Sequence, residues 1–438
     1  MTNCNTIKLE FKGIKSKKVE ANFKGGLITS DAGVLLLRQA EQKIGLLKKL
    51  SQCIKDSRHK SYTKHAIETT IKQRVFAIAC GYEDLNDHNE LRKDAMFKIA
   101  VDKKAHDSNL ASSPTICRME NNITREELIE MSKILVENFI ESFQSPPKEL
   151  ILDFDTTDTE LHGNQEGRFF HGYYDSYCYL PLDVWCGQQL LVSYLRTANQ
   201  DPAAHTWAIL SLLVKRFRIE WPKVRIIFRG DGGFCRHKIF NWCDSHNVRY
   251  VVGIGKNNRL TEAADKPIEL SRESFKEKGQ KVQIYDEIYY AAKTWKYERK
   301  VIVKAEQLIQ GENIRYLVTN IENKDPEDIY KLYIKRGDME NRIKEHQLDL
   351  FADRTSSHKF LTNQFRLMLA SCAYVLLEYI RRVALKGTKL AKAYCGTIRI
   401  KLLKIGAIIL EKTRKIIIRM SEVFVYKDLF IKTSRLLC

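Results

Sequence analysis

The sequence predicts an α/β fold: a mixed sheet with flanking helices, a helical segment before it and a β-rich insertion within it. Three observations predict this. Residues 1–145 carry apolar residues at helical spacing and end at Pro146-Pro147, which stops a helix and marks a domain boundary. Residues 149–256 then read as three strands, a helix, a strand, a helix and a strand. Two of those strands end in an aspartate, and a later helix carries a glutamate.

In the N-terminal segment, a capping residue near Ser30-Asp31 precedes the apolar run VLLLRQAEQKIGLL, and a second helix spans about 63–80. A third begins at Thr124, where T-R-E-E forms a capping box with Glu127. Leu128, Met131, Leu135 and Phe139 share one face of it. In the strand ELILDFDTT (149–157), Leu150, Leu152 and Phe154 face one way, and Ile151, Asp153 and Asp155 the other. YCYLPLDVW and QLLVSYLR follow as strands, then AHTWAILSLLVKRF as an amphipathic helix. KVRIIFRGD is an apolar strand ending in Asp231, CRHKIFNWCDSH a helix and VRYVVGIG a strand. This is the order of an RNase H-like core, whose mixed sheet carries acids at strand ends. Residues 258–325 alternate like β-hairpins, helix returns over 327–350, and a long apolar helix starts near Thr362. The expected domains are 1–145 (helical, DNA-binding), 146–257 (core), 258–325 (insertion), 326–385 (core with the glutamate helix) and 386–438 (basic segment).

The net charge of +19 points to a polyanionic partner, although a generally basic proteome also produces such a surplus. Residues 386–438 hold 13 Lys/Arg against 3 Asp/Glu, so this segment carries +10 of the total. The first residues lack an apolar signal core, and the eleven cysteines form no C-x-x-C pair. These features favour reduced thiols and a cytoplasmic, nucleoid-associated location over disulfides or a structural zinc site. The longest apolar run, Phe365–Ile380, is short for a membrane span and is broken by Arg366 and Glu378, so a buried helix is expected and no membrane partner.

Cleavage of a phosphodiester by two metal ions needs carboxylates that hold two divalent cations about 3.5–4 Å apart. Hard oxygen ligands suit Mg2+ or Mn2+. Asp155, Asp231 and Glu340 are the candidate catalytic and metal-binding acids, with Asp153, on the same strand face as Asp155, as the alternative first acid. Gly230, Gly232 and Gly233 allow backbone or phosphate to approach Asp231 closely.

The stretch YIKRGDME (333–340) has the spacing Tyr-x2-Arg-x3-Glu and resembles the signature around the catalytic glutamate of hairpin-forming DDE transposases of bacterial insertion sequences. That signature continues with a lysine seven residues on; this chain has Gln347 there, and Lys344, one turn from Glu340, is the expected substitute. LITSDAGVLLLRQAE, QRVFAIACGYEDLNDHNELRKD, SPTICRMEN, LHGNQEG, RGDGGF, ENRIKEHQLDLFADRTSSHKF and NQFRLMLASCAY are similar to stretches of insertion-sequence family 1380 transposases, in order along nearly the whole chain. The resemblance implies cut-and-paste transposition, with Asp155, Asp231 and Glu340 holding two Mg2+ or Mn2+ ions. It implies that Tyr333 and Arg336 touch DNA near the cleaved end. The implied partners are terminal inverted repeats and target DNA, bound by a homodimer. A DNA-binding descendant that no longer cuts and an RNase H-like nuclease are the alternatives.

Other residues carry weaker signals. SPTICRMENN (113–122) is a candidate DNA-reading helix with Thr115, Arg118, Glu120 and Asn121 exposed, or an ordinary capped helix. Glu83, Asp84 and Asp87 read as a solvated turn more readily than a metal site. His162 and His171 follow the first strand, and Asp353, Arg354, Ser357 and His358 follow the glutamate helix as potential supports. Trp295 is the tryptophan of the insertion. It is read either as stacking a flipped base, with Lys293, Lys296 and Arg299 on the phosphates, or as packing the hairpins.

Overall fold

The structure is a computed structural model and describes residues 8–438. The chain divides into two compact units, one formed by Ile123–Ser371 and one by the residues up to Asn122 together with Cys372–Cys438.

The unit Ile123–Ser371 is built on an eight-stranded sheet. Its strands are β1 (Glu149–Thr156), β2 (Leu182–Cys186), β3 (Gln189–Tyr194), β4 (Arg225–Gly230), β5 (Arg249–Ile254), β6 (Val282–Tyr290), β7 (Arg299–Leu308) and β8 (Gly311–Thr319). The spatial order is β6-β7-β8-β5-β4-β1-β2-β3. β4 lies between β1 and β5 and is parallel to both. β2 pairs antiparallel with β1, and β3 antiparallel with β2.

Alternation in the strands creates two cores. Leu150, Leu152 and Phe154 of β1 and Ile226 and Phe228 of β4 face the larger one. Helices Arg125–Glu141, Thr206–Glu220 and His237–Ser245 pack there through Phe139, Leu210, Phe217 and Phe240. On the other face Ile227, Val251, Ile302 and Leu317 meet Ile329 and Tyr330 of the helix Pro326–Ile334. The capping box expected at Thr124 is formed: its hydroxyl accepts from Glu127 N–H and the Glu127 carboxylate accepts from Thr124 N–H.

Three expectations are corrected. The segment 258–325 is not a separate β-rich body. Its first part folds as helices Asn258–Ala263 and Asp265–Lys278, and its strands β6–β8 continue the main sheet, with β8 antiparallel to β5 from Val251↔Thr319 to Ile254↔Tyr316. Without β8 the apolar strand β5 would be an edge with unpaired backbone groups. Next, the division falls at residue 122 rather than 145, because Val136, Phe139 and Ile140 of the helix Arg125–Glu141 are part of the sheet's core.

Finally, the other unit is not purely helical. Leu9–Ile14 pairs with Lys17–Ala21, and Leu27–Thr29 adds to a hairpin formed by Ala407–Lys412 and Lys415–Met420. The basic segment is therefore folded, with Ile405 and Ala407 buried beside Ala32. The helix Phe360–Ala384 is long and apolar enough to cross a membrane, and most of it is buried in the protein. Among the described residues no disulfide forms.

Candidate active site

β1 and β4 are adjacent and parallel, so their C-terminal ends open at the same edge of the sheet. Asp155 is the penultimate residue of β1 and Asp231 follows the last residue of β4. Asp231 then caps a short helical turn, Gly232–Phe234, by accepting the Gly233 N–H at 2.8 Å. That tight turn needs small residues. A Cβ on Gly230 would lie 3.0 Å from the Phe234 ring, and one on Gly253, in neighbouring β5, would lie 2.8 Å from the Tyr333 hydroxyl.

The third acid arrives on a broken helix. Sequence periodicity reads 327–350 as one helix, but the chain makes Pro326–Ile334, a break at Lys335-Arg336, then Gly337–Lys344 and a π-helical turn, Glu345–Asp349. The break turns Arg336 toward the strand ends. One of its nitrogens, Nη2, lies 3.5 Å from Asp155 and 3.5 Å from Asp231, while Nη1 donates to Glu340 at 2.7 Å. The structure thus brings the three predicted acids around a single guanidinium. Asp155 is nearly buried, whereas Asp231 and Glu340 are open to solvent on one side.

Electrostatics follow from this arrangement. The Asp155 carboxyl is pushed up to about 7: burial raises it most, and the Asp231 and Glu340 charges add to this, while Arg336 and the Thr156 N–H act against it. A cation at this spot therefore favours the charged form of Asp155. Arg336 supplies one positive charge, and its buried Nε has no hydrogen-bond partner. With the guanidinium between the acids, no group of three His, Cys, Asp or Glu among the described residues is already drawn together around a metal-sized point. The donor set is nevertheless the right one for a hard divalent cation: three carboxylates converging at one sheet edge.

Asp153 stands differently. It is 2 % exposed and forms a two-point ion pair with Arg229, whose other nitrogen donates to the Leu332 carbonyl. Its oxygens are taken up in tying β1, β4 and the helix Pro326–Ile334 together. Tyr333 is half-buried beside Asp231 and Arg336, and burial raises its hydroxyl pKa. Lys344 is exposed on the glutamate helix. Gln347, at the signature's lysine position, donates to Thr157 Oγ1 at 3.2 Å and to the Asp158 carbonyl at 3.0 Å. It fastens the π-helical turn to the end of β1.

Sequence reasoning missed the support beneath Asp155. Arg196, 2 % exposed, donates to the Thr156 hydroxyl at 2.8 Å and to the carbonyls of Leu180, Pro202 and Ala204. The Thr156 N–H in turn donates to Asp155 at 2.9 Å. The signal was an arginine closing an apolar stretch, QLLVSYLR.

Other candidates are not brought to the acids. Trp295 packs edge-on against Phe240 and Tyr290 in the larger core. It lies just before β7, whose Lys300 pairs with Thr319 near the start of β5, at the end of the sheet opposite the acids. Arg299 is buried on Asp244, Asn241 and the Tyr250 and Tyr297 hydroxyls and presents no charge to a phosphate. These positions correct the base-stacking reading of Trp295. Glu120 is buried rather than exposed, and its carboxylate lies 3.4 Å from the buried Arg74 guanidinium, which compensates its charge. Arg118 of that helix is exposed and touches Thr115. His358 meets the Asn164 carbonyl, beside the loop after β1.

The family model described as Transposase DDE domain group 1 matches residues 11–437. Among solved structures, a cryo-EM structure of the piggyBac transposase synaptic complex with hairpin DNA aligns with 85 % of this chain and 79 % of that chain, at 11 % identity and a TM-score of 0.43. No curated protein matches.

Proposed function

The chain belongs to the transposase DDE domain family, group 1, and on that footing we propose that it performs cut-and-paste transposition, with Asp155, Asp231 and Glu340 as its catalytic acids. The observation that carries this reading is the single Arg336 guanidinium in contact with all three. The order β3-β2-β1-β4-β5, with β1, β4 and β5 parallel, supports an RNase H-like core. The Tyr333, Arg336 and Glu340 spacing supports kinship with the hairpin-forming DDE transposases, and the stretches from LITSDAGVLLLRQAE to NQFRLMLASCAY support the insertion-sequence family 1380 assignment.

In this reading the three carboxylates hold two Mg2+ or Mn2+ ions, which when bound activate the attacking oxygen and stabilise the leaving one. The remaining work belongs to the chain. Arg196 and Thr156 fix the Asp155 carboxylate, and the Gly233 N–H fixes that of Asp231. Gln347 holds the glutamate helix against β1. Arg336 offsets part of the acids' charge, and with metal ions held by the acids it would be available to a DNA phosphate, with Tyr333 beside it. The Asp153–Arg229 pair favours Asp155 as the first acid. A homodimer acting on terminal inverted repeats in the bacterial cytoplasm, at the nucleoid, completes the proposal.

The test is Asp231→Asn on a DNA substrate carrying the element's ends. We expect DNA binding to persist and strand cleavage to disappear, since only metal capture is lost. Undiminished Mg2+-dependent cleavage by this variant overturns the assignment.

A further inference from the structure

Between β1 and β2 the chain makes a small three-stranded sheet from Thr159–Glu160, Phe169–His171 and Ser176–Tyr179. One end is anchored: Cys178 and Tyr179 are buried, the Tyr179 hydroxyl donates to the Glu166 carbonyl, and the Tyr179 ring meets Leu161, Leu195 and Phe360. By alternation Phe170 and Tyr177 share one face, Phe169 faces the other way with Cys178, and Tyr173 lies in the turn between the strands; no core covers these four rings. Phe169, Phe170, Tyr173 and Tyr177 are 40 %, 54 %, 84 % and 44 % exposed. The Arg168 guanidinium lies 3.9 Å from the centre of the Tyr177 ring, and Phe170 meets Tyr177 edge-on at 5.5 Å.

The root of this sheet lies beside the acids. It leaves β1 within four residues of Asp155 and is held by Gln347 to the segment that continues the Glu340 helix. Tyr173 packs on Tyr174 at 5.0 Å. Rings and an arginine plane next to a phosphodiester-cutting centre fit one chemistry: bases offer flat π-faces of any sequence, and the phosphates between them favour a guanidinium.

We propose that the exposed aromatic face of this small sheet stacks unpaired bases of the DNA strand adjoining the phosphate held at Asp155, Asp231 and Glu340. The proposal rests on the transposase reading above. It assigns base stacking to Phe170, Tyr173 and Tyr177 at the catalytic edge, with Arg168 bracing Tyr177.

The experiment compares the full chain with the Phe170→Ala/Tyr173→Ala double variant. The probes are a blunt DNA duplex and the same duplex with a short single-stranded overhang containing 2-aminopurine. The unaltered protein is expected to favour the overhang about tenfold and to quench its fluorescence, which is within the value of stacking one base. The double variant should keep blunt-duplex binding and lose both the preference and the quenching, while Phe170→Tyr/Tyr173→Phe retains them and so excludes simple misfolding. Equal preference and quenching in the double variant overturns the proposal. So does a change in oligomeric state without DNA while overhang preference is unchanged, since the face is then covered by a second copy. Failure of the unaltered protein to bind or cut DNA sinks the transposase reading as well, whereas normal cleavage with no overhang preference sinks the stacking face alone.

Discussion

Arg336 touches three carboxylates at once, and Asp153 touches a single arginine; substitution of either destabilises the protein, to different extents. Removing Arg336 leaves Asp155, Asp231 and Glu340 facing each other without a counter-charge. Two of the acids are partly open to water, so the loss falls between that of an exposed and a buried pair, on the order of 1–2 kcal/mol. Arg336→Ala should therefore melt a few degrees lower than the unaltered protein in EDTA. Mg2+ should raise its midpoint more than that of the unaltered protein, and equal Mg2+ responses would show that Arg336 does not compensate the acids. Asp153→Asn instead strands Arg229 inside the sheet and should cost about 3–5 kcal/mol in denaturant unfolding. Asp155→Asn should abolish cleavage with little loss of stability, because burial already opposes the charge at Asp155. A stable, inactive Asp153→Asn beside an active Asp155→Asn would exchange their roles.

At the scale of elements, the π-helical turn Glu345–Asp349 carries the connection between the glutamate helix and β1. His346 within it is 1 % exposed, near the Ser371 hydroxyl and edge-on to Trp185. Burial depresses its pKa to about 3. The folded state thus requires the neutral ring, whereas the unfolded chain takes up a proton near 6.5. The stabilisation is complete above about pH 6.5 and is lost as the pH falls through about 3. Replacing His346 by Asn should flatten unfolding free energy against pH in that window, and an unchanged slope would assign the acid sensitivity to other groups.

The elements also differ in how far sequence revealed them. β1, β4, β5 and the Thr124 cap were legible because alternation, an acid at a strand end and a capping box are local patterns. Joining β8 to β5 was not, since strand pairing depends on a partner some 65 residues away rather than on the strand's own alternation. The break at Arg336 was equally hidden, because Ile329, Leu332, Met339 and Ile343 keep a helical spacing across it. Trp295 stayed open between stacking and packing, and Glu120 between a DNA-reading and an ordinary helix, because a tryptophan or a glutamate in a polar stretch does not disclose the core residue or arginine it meets in the fold.

For the molecule as a whole, the surplus of +19 is unevenly used. Within the basic C-terminal segment, Lys404 pairs with Asp31 and Arg399 donates to the Ala79 carbonyl, so both serve the fold. Lys412, Arg414 and Lys415 stand exposed at the turn of the hairpin Ala407–Met420. Changing these three to Gln should reduce the slope of log affinity against log salt by about 2–3 on duplex DNA, with unfolding unaffected. An unchanged slope would place that turn away from DNA.

Truncating the segment would be a poorer test, since Ile405 and Ala407 are buried in the unit formed by both chain ends. That discontinuity has a consequence during synthesis. The first 122 residues leave the ribosome long before Cys372–Cys438 exist, and roughly 250 residues must be translated in between. At about 5–20 residues per second the early portion waits some 10–50 s for its complement, while Ile123–Ser371 emerges as a contiguous stretch. A nascent chain arrested before residue 372 should expose the strand Leu27–Thr29 without its partner, as an open edge for chaperones to cover.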